Sequence, residues 1–156
     1  MHALLPVPIR RLGYRFAYLG LRLWWLVRKP QVTGVKCVLT HGDRLLLVRH
    51  TYGDREWDLP GGSVKRNETP AAAARREMLE ELGISVDDWV LVGRLAGRVH
   101  HRADDLHCFL AELSTSAITI DRGELETASW FQPGELPAAL ARYVQPILSR
   151  AGLRAR

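Results

Sequence analysis

The stretch "GGSVKRNETPAAAARREMLEELGI", Gly61 to Ile84, decides how the chain is read. It puts Glu77, Glu80 and Glu81 within two helical turns, with Glu68 just upstream. Like charges spaced i and i+4 on a helix repel by about 0.2–0.5 kcal/mol per pair, so the crowding calls for a compensating charge. Thr69 suits an N-cap, Pro70 the first helical position and Gly83 the residue past the end. The stretch therefore predicts a helix from about Pro70 to Leu82. At about 100° per residue the three glutamates share one face, Ala71, Ala74, Met78 and Leu82 form a neighbouring apolar stripe, and Leu79 lies outside both. The apolar side is expected to pack on a sheet while the other presents carboxylates.

A cluster of carboxylate oxygens suits a hard divalent cation, Mg²⁺ or Mn²⁺, better than zinc. Such an ion would cancel the repulsion among the glutamates and could neutralise a phosphoryl group. Gly61-Gly62, lacking side chains, lets the backbone approach the site closely. A mixed-charge helix can equally be a solvated face, and the spacing of the whole stretch discriminates between the two.

Written with U for an apolar residue, the stretch fits G-x5-E-x7-R-E-U-x-E-E-x-G-U, with Gly62, Glu68, Arg76-Glu77-Met78, Glu80-Glu81 and Gly83-Ile84 at the defining positions. It resembles the signature box of the Nudix hydrolase family. With each fixed residue at about 5–7% usage, a chance match at one starting point is about one in a billion. "EWDLPGG" before the box and "TASWFQPGELP" far downstream also resemble the family, so residues 32–150 fit one such domain. Asn67 stands where relatives often have glycine, and asparagine tolerates positive φ better than other side chains.

The resemblance implies an α/β fold, an α/β/α sandwich around a mixed sheet. It implies metal-dependent hydrolysis of a nucleoside diphosphate linked to another moiety, by water attack on a diphosphate phosphorus. Carried over by position, Glu77, Glu80, Glu81 and the Gly62 carbonyl would hold Mg²⁺ or Mn²⁺, and Arg76 would orient a box glutamate. Glu68 is expected to support the loop or an outer metal shell. The general base is either a box glutamate or an acid of a later loop, with Glu124 the first candidate there and Glu126 the next. Tyr52 and Trp57 are candidates for stacking on a base, or for packing. The family's substrate markers, a proline about fifteen residues past the box or a tyrosine near there, are absent, since Val99, His100 and His101 occupy that region.

Around the box, "VTGVKCVLT" and "RLLLVRH" read as two strands joined at "HGD". Further strands are expected in "DWVLVGRLAG", "DLHCFLAEL", "SAITI" and "TASWF", and a closing helix in "PGELPAALARYVQPILSRAG", kinked or broken at Pro146. Cys37 and Cys108 sit in apolar runs without a CxxC neighbour and read as small buried hydrophobes in a reducing, cytoplasmic compartment. The group His100, His101, Asp104, Asp105 and His107 invites a second metal site. Adjacent strand residues point to opposite faces, however, so a loop at the mouth of the site is the expectation.

The net charge of +5 hides an asymmetry. Residues 1–30 carry Arg10, Arg11, Arg15, Arg22, Arg28 and Lys29 and no acid, which leaves sixteen basic against seventeen acidic residues in 31–156. The second part thus offers no electrostatic case for nucleic acid. The chain divides into an amphipathic basic segment, 1–30, and a hydrolase domain, 31–156. Arginines interrupt the apolar run of the first segment, which is too short to span a membrane. Three roles stay open for it: a helix packed on the domain or in a homodimer, an interfacial helix on anionic lipid, or a targeting peptide. The competing function is a non-catalytic nucleotide-binding module, attached to a membrane or partner through the N-terminal helix.

Overall fold

The computed structural model describes residues 5–99 and 101–153. The chain runs through helix α1 (Val7–Arg28), strands β1 (Gln31–His41) and β2 (Arg44–His50), helix α2 (Pro70–Leu82), strands β3 (Val90–Val99), β4 (Arg102–Glu112) and β5 (Leu125–Phe131), and helix α3 (Val144–Arg150). The five strands form one mixed sheet in the order β3-β4-β1-β2-β5, with β1 and β4 parallel and the other neighbours antiparallel.

Period-two alternation divides the strands between two cores. Cys37, Leu39, Leu46 and Val48 point to the face covered by α2, where Ala73, Ala74, Met78 and Leu82 meet them. Val38, Leu45, Leu47 and Cys108 point to the face covered by Val144, Ile147 and Leu148 of α3. The two cysteines are therefore both buried and free, on opposite sides of the sheet. This is the expected α/β/α sandwich.

Helix α2 has the predicted bounds. Thr69 Oγ1 accepts from Ala72 N–H at 3.2 Å, and Gly83 closes the helix in the left-handed region at φ 65°. Its apolar stripe is rotated from expectation. Ala71 is exposed and Ala73 is buried, because the sheet is met by the Ala73, Ala74, Met78 row. The rotation carries Glu77 and Glu81 inward with that row, so only Glu80 keeps the solvent-facing position foreseen for all three glutamates. Leu79 is exposed, outside both faces as expected.

Two other expectations are corrected. Residues 116–120 form no strand. Thr119 N–H and Asp121 N–H bond instead to the carbonyls of Leu82 and Glu81, both at 2.9 Å, so this segment satisfies the free end of α2 rather than a sheet edge. The closing helix is one short piece. Pro146 occupies its first turn, where a missing N–H breaks no intrahelical bond. The chain before it docks on "EWDLP", with Trp57 N–H donating to Ala139 O and Ala141 N–H to Trp57 O, each at 2.8 Å.

Asp104, Asp105 and His107 lie within β4 rather than in a loop, and only His101, at φ 68°, belongs to the β3–β4 turn. His100 lies outside the described residues. Asp104 is tied to Arg102 at 2.5 Å, and Asp105 to Arg94 at 2.5 Å.

Helix α1 docks on the domain through one narrow face. Trp25 is buried beneath the Arg102 guanidinium, 4.5 Å from its ring centroid. Tyr14 and Tyr18 lie against Tyr52, with ring centroids at 6.0 and 5.4 Å. Arg10 pairs with Asp121 at 2.5 Å, and Arg11 Nε donates to Arg122 O at 3.0 Å. None of the helices among the described residues is long and apolar enough to cross a membrane.

Candidate active site

The Gly61-Gly62 turn lies between β1 and α2, held by Val35 N–H to Gly62 O at 2.8 Å and Cys37 N–H to Pro60 O at 2.9 Å. A Cβ on Gly61, at φ 149°, would stand 2.1 Å from Val35 O, and one on Gly62 would stand 2.4 Å from the Glu77 carboxylate. At Gly61 backbone excludes any side chain, whereas at Gly62 a Cβ would have to displace the Glu77 carboxylate. The turn lies against Glu77 and Glu81 as closely as backbone can. Gly61 N–H donates to Glu81 Oε2 at 3.2 Å.

Arg76 binds the box together. Its Nε and Nη2 grip Glu68 at 2.8 and 3.0 Å, Nη1 reaches Glu77 at 2.7 Å and Glu80 at 3.3 Å, and Nη2 also bonds Ser63 O at 2.9 Å. A planar fork with five donors is the group suited to this many acceptors. Glu68 also accepts from Lys65 N–H at 2.9 Å, closing the loop in which Asn67 takes φ 63°. The Arg76 guanidinium holds the Glu68 carboxyl down to about 2.

The deepest residue is Glu81. It is fully buried, and its Oε1 has no hydrogen-bond partner. Burial, then the nearby carboxylates of Glu124 and Glu77, push its proton affinity well above the usual carboxylate value. Burial likewise raises Glu124, and raises Glu77 against the opposing pull of Arg76. Beside Glu81 stands His50, at the end of β2. One atom each from His50, Glu81 and Glu124 lie within 4.8 Å of one another. Burial, then Lys36, lowers the His50 imidazole to about 4, so it is neutral near pH 7, and its Nδ1 has no partner. Two buried polar atoms without partners, a backbone cradle free of side chains and a surplus of carboxylates fit a divalent cation.

The two loop acids separate. Glu124 turns into the cleft and accepts from Tyr52 Oη at 3.2 Å. Glu126 is engaged by Arg49 at 2.8 Å and by Arg55. Glu80 stays at the edge with about half its side chain exposed. The two aromatic candidates separate as well. Tyr52 lines the cleft, but its ring is packed among Tyr14, Tyr18 and His50. Trp57 packs on the α3 side, edge-on to Phe131 at 5.0 Å with Arg49 over its ring, and does not line the cleft.

The cleft above these residues has a volume of about 680 Å³. Glu124, Gly61 and Gly62 lie along it, with cations supplied by Lys36, Arg98, Arg102 and Arg142. Tyr14, Tyr18 and Trp25 of α1 contribute to its walls. His50 and Lys36 are site residues that no sequence pattern marks. The register of β2 on β5, pairing His50 with Leu125, is the signal that brings His50 next to Glu124.

The NUDIX domain family matches residues 30–150. The chain belongs to the Nudix family. It is 33% identical over 90 residues to the oxidized purine nucleoside triphosphate hydrolase of Mus musculus, covering 56% of each chain. It is 36% identical over 67 residues to the 8-oxo-dGTP diphosphatase of Proteus vulgaris, covering 43% of this chain and 60% of that one. The chain thus spans less than two thirds of the length of these curated relatives. Its fold superposes with a TM-score of 0.72 on the crystal structure of a MutT NUDIX hydrolase from Burkholderia pseudomallei, at 23% identity, over 77% of this chain and 97% of that one. Helix α1 lies outside the matched Nudix region.

Proposed function

We propose that the protein is a divalent-metal-dependent pyrophosphohydrolase that cleaves a nucleoside diphosphate linked to another moiety, by water attack on a diphosphate phosphorus. Residues 31–156 would form the hydrolase domain and 1–30 an appended segment. The convergence of Glu81, Glu77, Glu124 and His50 on the Gly61-Gly62 turn, at the wall of a cleft with several cations, carries this reading.

Glu77, Glu81 and the second lone pair of the Gly62 carbonyl would hold the ion, with Glu80 joining through water at the exposed edge. His50 offers a neutral imidazole, and a mixed nitrogen and oxygen set favours Mn²⁺ over Mg²⁺, which prefers oxygen alone. When bound, the ion supplies charge neutralisation at the phosphoryl group and activation of water. Arg76 acts as a positioning residue, fixing Glu77 and the Glu68 loop so that the carboxylates meet the ion without reorganising. Glu124 is the base we assign, because burial raises its proton affinity and Tyr52 Oη fixes one oxygen, leaving the other to take a proton from water. Arg98 and Arg142 line the cleft and would meet phosphate oxygens, while Lys36 and Arg102, also on its wall, are engaged by Asp58 and Asp104.

The names of the relatives support nucleotides with a phosphoanhydride chain as the first substrates to try, oxidised purine nucleoside triphosphates among them. The free buried cysteines support a reducing, cytoplasmic setting. The deciding experiment is a panel of nucleoside di- and triphosphate derivatives with Mg²⁺ or Mn²⁺, run on the native chain and on Glu81→Gln. Turnover by the native chain and its loss in the variant, with nucleotide binding retained, is the expected result. Equal rates for both on every substrate would remove the metal-site assignment.

A further inference from the structure

Helix α1 turns one face to the domain and leaves the opposite face uncovered. The inner face is the row Tyr14, Tyr18 and Trp25, which shares one angular sector at about 100° per residue. Diametrically opposed lie Ile9, Leu12, Phe16, Leu19, Leu23 and Val27, all exposed, with Phe16 at 65% and Val27 at 79%. No charged residue falls within this outer sector. A contiguous apolar strip the length of a 22-residue helix exceeds what a monomer ordinarily leaves to water.

The edges of the strip carry the information about what covers it. Arg15 and Arg22 line one border, Arg28 stands beyond the other toward the inner row, and Lys29 follows the helix's end, all exposed, and residues 1–30 contain no acid. Trp24, half exposed, sits between the strip and the second border. Two such helices packed face to face would set arginine against arginine with no acidic residue on either helix to offset them. An anionic bilayer surface answers both parts of the pattern at once: hydrocarbon takes the strip, lipid phosphates take the flanking cations, and the tryptophan sits at headgroup level. Because no described helix can span a membrane, the helix would lie in the plane of the surface.

We infer that α1 is an interfacial anchor that seats the protein on anionic lipid through the Ile9, Leu12, Phe16, Leu19, Leu23, Val27 face. The inference is independent of the hydrolytic reading, since it uses none of the residues of the metal cluster. The test is co-sedimentation of the full chain with vesicles of phosphatidylcholine alone and of phosphatidylcholine mixed with phosphatidylglycerol, at low and high salt. Binding to the mixed vesicles that weakens with salt is expected. Arg15→Gln and Arg22→Gln should each weaken it about fivefold, and Phe16→Ser with Leu23→Ser should abolish it while the circular dichroism spectrum stays native. Should that last variant fail to fold, the native chain decides the matter: part of its tryptophan emission should shift to the blue on the mixed vesicles and be quenched by brominated lipid. Absence of binding to the mixed vesicles would overturn the proposal, as would equal binding to both lipid compositions. A stable dimer in sedimentation velocity that Phe16→Asp splits into monomers would overturn it too, by giving the strip to a second copy.

Discussion

The Gly61 N–H holds one oxygen of Glu81 at 3.2 Å, while the other oxygen of that buried carboxylate has no partner. A single backbone donor does not compensate a carboxylate removed from water. Without a cation the group holds its proton more tightly than an exposed carboxylate does. With one, the free oxygen is a ligand already aimed.

Metal-free protein should therefore lose stability as pH rises. Glu81, Glu77 and Glu124 hold protons more tightly in the fold than at the value of about 4.3 for an unfolded chain. Between that value and their raised values the native state binds more protons than the unfolded one, so their contribution is full below about 4.3 and is lost on going upward. Glu68 acts in the opposite sense, and its contribution fades only as pH falls toward about 2. His50, lowered to about 4, opposes them up to the ordinary imidazole value of about 6.5, so thermal melting in a chelator should show a midpoint that falls from about pH 6.5 to pH 8, and Mn²⁺ should restore it most at the alkaline end. A chelated midpoint that rises over that range would contradict the assignment.

Gly62→Ala tests the cradle itself. The added Cβ would stand 2.4 Å from the Glu77 carboxylate, so either the turn or the carboxylate must shift. Displacing a ligand by this much should lower Mn²⁺ affinity roughly 10–100-fold, read by titration calorimetry. Because Gly62 is not in the positive-φ region, backbone strain does not confound the result.

Much of this was legible beforehand. Thr69, Pro70 and Gly83 act within their own segment, so α2 has its predicted bounds. The resemblance aimed Arg76 at a box glutamate without saying which, and the structure pairs it with Glu68. What was hidden depends on the partner rather than on the segment. Ala73 rather than Ala71 is buried because the sheet chooses which row of the helix it meets. Residues 116–120 carry strand-like composition but are claimed by the carbonyls of Leu82 and Glu81. His50 is a lone histidine until β5 pairs with β2 and sets Glu124 beside it.

Glu124 and Glu126 lie two residues apart and should respond very differently. Glu124→Gln removes the acid that faces Glu81 and His50, and kcat should fall about 10²–10⁴-fold with little change in substrate binding. Glu126→Gln loses only its ion pairs with Arg49 and Arg55, in which Arg55 is largely exposed, and stability should change by less than about 1 kcal/mol. Steady-state kinetics and melting on the two variants, side by side, check this. A larger loss of kcat in Glu126→Gln would move the base to that residue.

His50→Gln separates a ligand from a packing residue. Glutamine roughly conserves size and a hydrogen-bonding end but offers an amide oxygen in place of the imidazole nitrogen. If His50 binds the ion, the variant should lose preference for Mn²⁺ over Mg²⁺ while keeping its fold. If it only packs against Tyr52, at 5.0 Å between ring centroids, the metal preference should stand and only the melting midpoint should drop. The ratio of rates with the two ions is the discriminating number.

The inner face of α1 supplies the last prediction. Tyr14 and Tyr18 line the cleft from outside the matched Nudix region and hold Tyr52, whose hydroxyl orients Glu124. Tyr18→Ala should remove wall surface that touches substrate before and during the reaction alike, so KM should rise with a smaller change in kcat. Tyr52→Phe keeps the wall and removes only the bond to Glu124, so it should lower kcat with KM nearly unchanged. Kinetics on the pair distinguish a helix that shapes the substrate site from one that merely rests on it: in the second case Tyr18→Ala would leave both constants alone. Opposite signatures from two rings 5.4 Å apart would make α1 a working part of the site.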